Sequence, residues 1–269
     1  MISKVSIGNI HITAYQDFSP PPFDPTIFFD DTTLTDWEPY SSEYLNEQGL
    51  FQTNFVAWLI QWRDQNILID TGIGSGDGGI LPTVLQQDSI DLREIDTVVL
   101  THLHPDHIGW TLTKSGDTIE PTFPNATYLV PQLDWDYFTS NRDPLVQTNI
   151  VPLETLGVLQ LIDGPHSITS SITTYPTPGH TPGHTSVLLN SNNEKGIVVG
   201  DVFHSAVQII ESDWCATFDA DKPKARATRN DVLTQCENED ITICASHLLM
   251  GKNIGKIHRT NTQRYWAPI

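Results

Sequence analysis

Cysteine is scarce in this 269-residue chain: three are present, Cys215, Cys236 and Cys244, an odd number with no CxxC pair. That argues against a disulfide framework, and the thiols read as reduced and half-buried, in keeping with an expected cytoplasmic location. Basic side chains are few as well, 14 Lys and Arg against 33 Asp and Glu, a formal net charge of −19. A field of that sign repels phosphate backbones and anionic headgroups, so neither nucleic acid nor a membrane surface is expected as a partner. Long apolar runs are missing: none approaches the ~20 residues of a membrane span. The opening segment, residues 1–13, alternates apolar and polar side chains like a strand and lacks the apolar stretch of a signal peptide. Nor is there a GxSxG elbow to supply a serine nucleophile.

What is present is enough to fold. The hydrophobic fraction is 38%, with 7 Trp, 7 Tyr and 10 Phe, and a chain of this length can bury a full core. Short β-rich runs punctuated by Gly, Pro and Asp predict strands at 5–14, 55–62, 67–69, 97–100, 127–130, 158–162, 172–175, 185–189, 197–199 and 242–245. Helices are predicted near 81–87, at 132–141 after Pro131, and around 222–237, with Asp219 or Asp221 as cap and Pro223 in the first turn. Two apolar strands run into aspartates, Ile67-Leu-Ile-Asp70 and Ile197-Val-Val-Gly-Asp201, which hints at an old duplication. Residues 19–50 stand apart: Pro-rich at the start, and bearing Phe23, Phe28, Phe29, Trp37, Tyr40 and Tyr44. A segment of this kind is an arm packed on the core, a flap over a substrate pocket, or a contact in a homodimer.

The chemistry concentrates in Val98-Val-Leu-Thr-His102-Leu-His104-Pro-Asp106-His107-Ile-Gly109. Three imidazoles and a carboxylate directly after a buried strand are unfavourable to gather unless a cation holds them, and His with Asp suits zinc and similar divalent metals. Pro105 is expected to keep this turn from becoming a helix. Further candidates follow downstream: His180 and His184 in the constrained loop Thr177-Pro-Gly-His-Thr-Pro-Gly-His184, Asp201 at one strand end and His247 after another.

The HxHxDH motif at 102–107, followed in order by His180, Asp201 and His247, resembles the metallo-β-lactamase superfamily, over a stretch running from Asp70 to His247. The resemblance implies an α/β (α+β) fold, a four-layer αβ/βα sandwich of two mixed sheets flanked by helices, formed by residues 1–269 as one domain. It implies two divalent metal ions, zinc first, with manganese, cobalt or iron admitted by the N/O ligands. His102, His104 and His180 would hold one ion, Asp106, His107 and His247 the other, with Asp201 bridging. Asp70 would accept a hydrogen bond from a ligand imidazole. His184 either supports a ligand or packs its loop.

Two such ions roughly 3.5–4 Å apart would acidify a shared water, so a bridging hydroxide is the expected nucleophile. The resemblance assigns Asp106 the transfer of a proton to the leaving group. Within the superfamily, redox chemistry is disfavoured because His104 is not a carboxylate, a nuclease by the charge, and the commonest zinc β-lactamase type by Asp201 standing where that type has cysteine. Glyoxalase II is disfavoured by the short tail after Lys252. Residues 200–208, 217–223 and 245–248 are similar to the methyl parathion hydrolase group, near the quorum-quenching lactonases. Those lactonases carry a tyrosine close to the position of His204, which here is expected to face the substrate or to pack a loop. Trp110, Phe28 and Phe29 are expected substrate walls. The expected substrate is a neutral ester, a lactone such as an acyl-homoserine lactone or an aryl ester first and a phosphotriester second. A metal-binding sensor without turnover is the alternative from another class.

Overall fold

Along each central strand apolar residues stand on both faces, as in a sheet covered on both sides. The structure, a computed structural model, describes residues 2–116, 118–260 and 263–269. One sheet has seven strands in the order β1 (Ile2–Ile7), β2 (Ile10–Phe18), β3 (Phe55–Trp62), β4 (Gln65–Ile69), β5 (Thr97–Val99), β8 (Thr127–Pro131) and β9 (Leu159–Ile162). Between β5 and β8 the chain forms a separate hairpin, β6 (Leu112–Ser115) with β7 (Thr118–Pro121). The second sheet runs β10 (Ile172–Pro176), β11 (Thr185–Ser191), β12 (Glu194–Val198), β13 (Thr242–Cys244), β14 (Ile254–Arg259) and β15 (Arg264–Pro268). Both sheets are mixed, with parallel pairing from β4 through β9 in the first and between β12 and β13 in the second.

Alternation along the strands decides the layers. Trp58, Ile60, Ile67, Ile69, Val99 and Leu129 face Val187, Leu189, Val198, Cys244 and Ile254 in the core between the sheets. The residues between them, such as Leu59, Leu68 and Val98, turn outward onto helices Leu81–Gln87, Gln132–Ser140, Pro144–Asn149 and Val151–Thr155. On the far side Ile197 and Ile243 meet Val232, Leu233 and Cys236 of helix Lys222–Asn238. The result is the four-layer αβ/βα sandwich. All three cysteines are free and buried, and no helix among the described residues is long and apolar enough to cross a membrane.

Several details depart from the sequence reading. The run at 5–14 is not one strand: Gly8, at φ 55°, and Asn9 turn it into a hairpin that pairs Ile7 with Ile10. Pro105 opens a helical turn, Pro105–Ile108, where it was expected to prevent one. Proline is favoured at the first helical position because no intrahelical donor is needed there. Asp221, not Asp219, caps the long helix by accepting from the Lys224 N–H. The tail forms β14 and β15, and its cations meet carboxylates, Arg259 and Arg264 on Glu237 and Lys256 on Asp240.

Residues 19–50 pack as an arm of short helices. Phe28, Phe29, Trp37 and Phe51 close over Val207 and Ala216. Polar contacts fasten the arm: Thr217 donates its N–H to the Phe28 carbonyl (2.7 Å) and its hydroxyl to that of Ile27 (2.7 Å), while Lys222 pairs with Asp30.

One buried anion organises the turn after β4. The carboxylate of Asp17, 1% exposed, accepts the backbone N–H groups of Ile73 (2.7 Å), Ile80 (2.7 Å) and Leu81 (2.6 Å) and the indole N–H of Trp110 (3.0 Å). Burial raises its pKa against these four donors. Replacing Asp17 by Asn removes one acceptor oxygen and points an amide at buried donors. The Asp17→Asn protein should lose about 2–3 kcal/mol in urea unfolding at neutral pH, and a loss below ~0.5 kcal/mol would contradict this role.

Candidate metal centre

The chain delivers its polar side chains to one edge of the sandwich from strand ends and a bent loop. His102 and His104 follow β5, Asp201 follows β12, His247 follows β13, and His180 sits in the loop entering β11. The helical turn 105–108 lies against the Asp70-Thr-Gly turn: the Thr71 N–H and hydroxyl both reach the His107 carbonyl (2.8 and 2.9 Å), and the Gly109 N–H reaches Gly72 (2.7 Å). A β-carbon on Gly109 would stand 2.0 Å from the backbone of Ile73, so only glycine permits this approach. Asp70 itself adopts a left-handed φ of 62°, a strained conformation for a residue with a side chain.

Hydrogen bonds behind the imidazoles decide which nitrogen faces inward. His107 donates its Nδ1–H to Asp70 (2.8 Å), His180 to Asp219 (2.8 Å), and His247 to the Asn54 carbonyl (2.9 Å). Thr101 donates its hydroxyl to Asp70, so it accepts from His102 Nδ1 (3.0 Å). Each ring therefore turns Nε2 to the interior. Nε2 of His102, His180, His204 and His247 lie 3.6, 3.2, 3.2 and 3.0 Å from the same oxygen, Oδ2 of Asp201. Nε2 of His107 lies 3.2 Å from Oδ1 of Asp201 and 3.5 Å from Asp106. His184 supports the carboxylate from behind, accepting the Asp201 N–H at Nε2 (2.9 Å) and donating Nδ1–H to the Thr177 carbonyl (3.0 Å).

Whether this set suits a metal can be tested on its own atoms. His102 Nε2, His107 Nε2 and Asp201 Oδ1 are buried without a hydrogen-bond partner, although imidazole and carboxylate stand close enough to pair. Buried polar atoms left unpaired are costly, and nitrogen and oxygen donors aimed at a common interior are what a borderline divalent ion takes. His102, His104 and His180 bring ligand atoms within 4.8 Å of one another, as do Asp106, His107 and His247, and as do His102 and His107 with Asp201. The residues fit. The electrostatics agree, since the carboxylates draw positive charge inward. Burial lowers His180, yet hydrogen bonds to Asp201 and Asp219 carry it up to about 9. Burial acts on His107 in the same sense, and Asp201, Asp106 and Asp70 push it well above the usual range. Against burial, Asp201 and Asp106 raise His247 too, whereas burial prevails at His104, His184 and His204, bringing them to about 3, 3 and 4.

The cluster opens into a cavity of about 360 Å³ lined by Phe28, Phe55, Ile73, Phe218, His104, Pro105, Asp106, His180, Asp201, His204 and His247. His204 thus faces the cavity, with its ring against Phe28 (5.1 Å between centroids) and stacked on His247 (5.0 Å). Two expected wall residues are placed elsewhere. Trp110 gives its indole N–H to Asp17 and packs on the core behind the first sheet, because the turn at Gly109 directs it inward. Phe29 is fully buried behind Phe28, between Trp37 and Phe51. The arm therefore contributes Phe28 to the cavity and spends Phe29 on its own core.

The sequence reading missed Phe55, Phe218, Asp219 and Asp134. Phe55 belongs to a segment without a chemical motif, and Phe218 to one marked only by its similarity to the methyl parathion hydrolase group. Asp219 was legible only as a helix cap, and its hydrogen bond to His180 spans 39 residues. Asp134, on the helix after β8, is buried and accepts the Thr181 hydroxyl and the Gly183 N–H, with the Leu103 backbone N–H as a third donor. It ties the loop of His102 and His104 to the loop of His180.

A two-sheet αβ/βα sandwich with histidines and aspartates gathered at its strand ends defines a class of metal-binding α/β proteins. The chain belongs to the metallo-β-lactamase superfamily, whose sequence profile matches residues 54–242. No curated protein matches it in sequence. Among solved structures it is similar to AidC, a dizinc quorum-quenching lactonase in complex with a hexanoyl-homoserine product, with a TM-score of 0.86 at 22% identity over 100% of this chain and 97% of that one. The hydrolase AbOPH of the β-lactamase superfamily gives a TM-score of 0.85 at 26% identity, over 100% and 97%. An N-acyl homoserine lactone hydrolase with a product at its catalytic metal centre gives 0.65 at 15% identity, over 90% and 94%.

Burial pushes Asp134 up to about 6 from an ordinary 3.8. The folded state therefore keeps this proton to higher pH than the unfolded chain. The stability it contributes is full below pH ~4 and is lost as pH rises through about 6. Relative to Asp134→Asn, the wild-type protein should lose up to ~3 kcal/mol of unfolding free energy between pH 4 and 6. A difference between the two proteins that stays flat across that window would remove Asp134 as a buried acid.

Proposed function

We propose that this protein is a dinuclear metal-dependent hydrolase of neutral ester-type substrates, lactones or aryl esters first and phosphotriesters second. The observation that supports it best is the cavity itself: imidazoles and two carboxylates form its floor, Phe28, Phe55, Ile73 and Phe218 form its walls, and no Lys or Arg among the described residues lines it. Apolar walls without a fixed cation favour an uncharged substrate with an acyl or aryl portion. The similarity to AidC and to the acyl-homoserine lactone hydrolase favours the lactone reading. AbOPH is described as a superfamily hydrolase and leaves the bond type open.

In this reading His102, His104 and His180 would hold one ion and Asp106, His107 and His247 the other, with Asp201 available to both. Bound there, divalent ions would supply an acidified water at neutral pH and a Lewis acid for the carbonyl or phosphoryl oxygen. The remaining work falls to the chain. Asp70, Asp219 and the Asn54 carbonyl hold three imidazoles in the tautomer that presents Nε2. Asp106 has its carboxylate at the cavity surface, 17% exposed, and against burial His107 and His247 keep it ionised, so it can take the attacking water's proton and pass it to a leaving oxygen. His204 meets the substrate through its ring, which lines the cavity and is held neutral at physiological pH by burial, while its Nε2 faces Asp201 and its Nδ1 is buried. Phe28 and Phe218 exclude water from the reacting bond.

A panel of one lactone, one aryl ester and one phosphotriester, assayed with zinc-, manganese- and cobalt-loaded protein, should show turnover on at least one. The His102→Ala protein should fall by more than about 100-fold. Turnover that survives that substitution would sink the mechanism, and a metal-loaded protein inert on all three would favour the sensor reading. His204→Ala should lower kcat/KM by about 100-fold with metal content unchanged, whereas unchanged kinetics would reduce His204 to packing.

A further inference from the structure

Arg229 lies on helix Lys222–Asn238 and is 0% exposed. A buried guanidinium is costly unless its donors are satisfied, and an apolar side chain would hold the helix at least as well. What its donors reach is therefore informative. Nε donates to the carbonyl of Val202 (2.8 Å), the residue after Asp201. Nη1 donates to the carbonyls of Ser212 (2.9 Å) and Trp214 (2.7 Å), and Nη2 to Oδ2 of Asp219 (3.4 Å). The other oxygen of Asp219 accepts from His180. The Trp214 carbonyl also accepts from Gln208, whose amide oxygen takes the backbone N–H of His204. One fork thus grips the turn after Asp201, the loop of Asp219 and, through Trp214, the segment that carries His204.

We propose that Arg229 is a positioning residue of the metal centre: it orients the Asp219 carboxylate toward His180 Nδ1 and pins the turn after Asp201, so that His180 Nε2 and Asp201 Oδ2 arrive together. Those two atoms stand 3.2 Å apart, and the fork bears on the backing of both, beside the Ala216 N–H that also reaches Asp219 Oδ2 (3.0 Å). Shape matters here as much as charge. Lysine keeps the charge but is a single point donor and cannot reach three loops at once. The inference rests on the metal reading above, and its test separates the two.

Chelator-treated full-length protein is titrated with cobalt(II), following the visible absorption of the bound ion and the metal content. The wild type should bind two equivalents. Arg229→Lys should bind one of them about 10–100-fold more weakly, with an altered absorption spectrum, while the metal-free variant still unfolds cooperatively. Asp219→Asn, which leaves the guanidinium and its carbonyl contacts in place, should weaken the same equivalent. An Arg229→Lys protein with wild-type affinity and spectrum overturns the proposal. If that variant does not fold, wild-type cobalt affinity in Asp219→Asn overturns it. A wild type that binds no cobalt, zinc or manganese would instead defeat the metal reading.

Discussion

Four imidazole nitrogens, from His102, His180, His204 and His247, face one carboxylate oxygen of Asp201 at 3.0 to 3.6 Å. A single oxygen cannot satisfy four donors, and nitrogen lone pairs set against a carboxylate repel unless positive charge lies among them. The rest of the molecule is arranged to sustain that constraint. Asp70, Asp219, Thr101 and the Asn54 carbonyl hold the rings from outside, and His184 holds the Asp201 backbone. Gly200, at φ 55°, lets that backbone in: a β-carbon there would stand 2.7 Å from His184 Nε2.

The supporting groups come from both sheets and from the outer helices. Asp70 and Asp201 occupy matching places, each after a strand paired antiparallel to its predecessor and parallel to its successor. The two residues differ in use: Asp70 stands behind a ring and Asp201 among them. Asp134 and Arg229 reach in from opposite outer layers. Displacing either helix would therefore disturb the centre through these groups, and for the first helix also through Phe138, whose ring meets His104 (5.9 Å between centroids).

The arm gives the cavity its character. Its aromatic cluster buries Phe29 and Trp37 and leaves Phe28 against His204 and Phe218, with Phe218 itself 59% exposed at the edge. The net charge of −19 and the apolar walls work together: acidic surface outside, a centre that draws positive charge inside, and an uncharged space between.

The candidate ligands and most strands were legible in the sequence because their causes are local. HxHxDH after an apolar run, Asp-Thr-Gly after another, and alternation of apolar residues each state their structure within a few positions. The hairpin at Gly8 and the helical turn at Pro105 were misread because a two-residue turn can interrupt an alternating pattern unnoticed, and proline serves equally to stop a helix or to start one. What stands around the ligands depended on contacts across tens of residues. Nothing near Asp219, Arg229 or Asp134 in the chain says that they meet His180, Val202 or Thr181. Trp110 looked like a wall by its place beside the motif and Phe29 as part of the arm, and packing turned both away from the cavity. The sequence by itself determined the residue types that can hold a metal and the order in which they occur. Only the tertiary structure decided which nitrogen each ring presents and which aromatics reach the cavity, because tautomer and orientation are set by partners that the fold alone brings near.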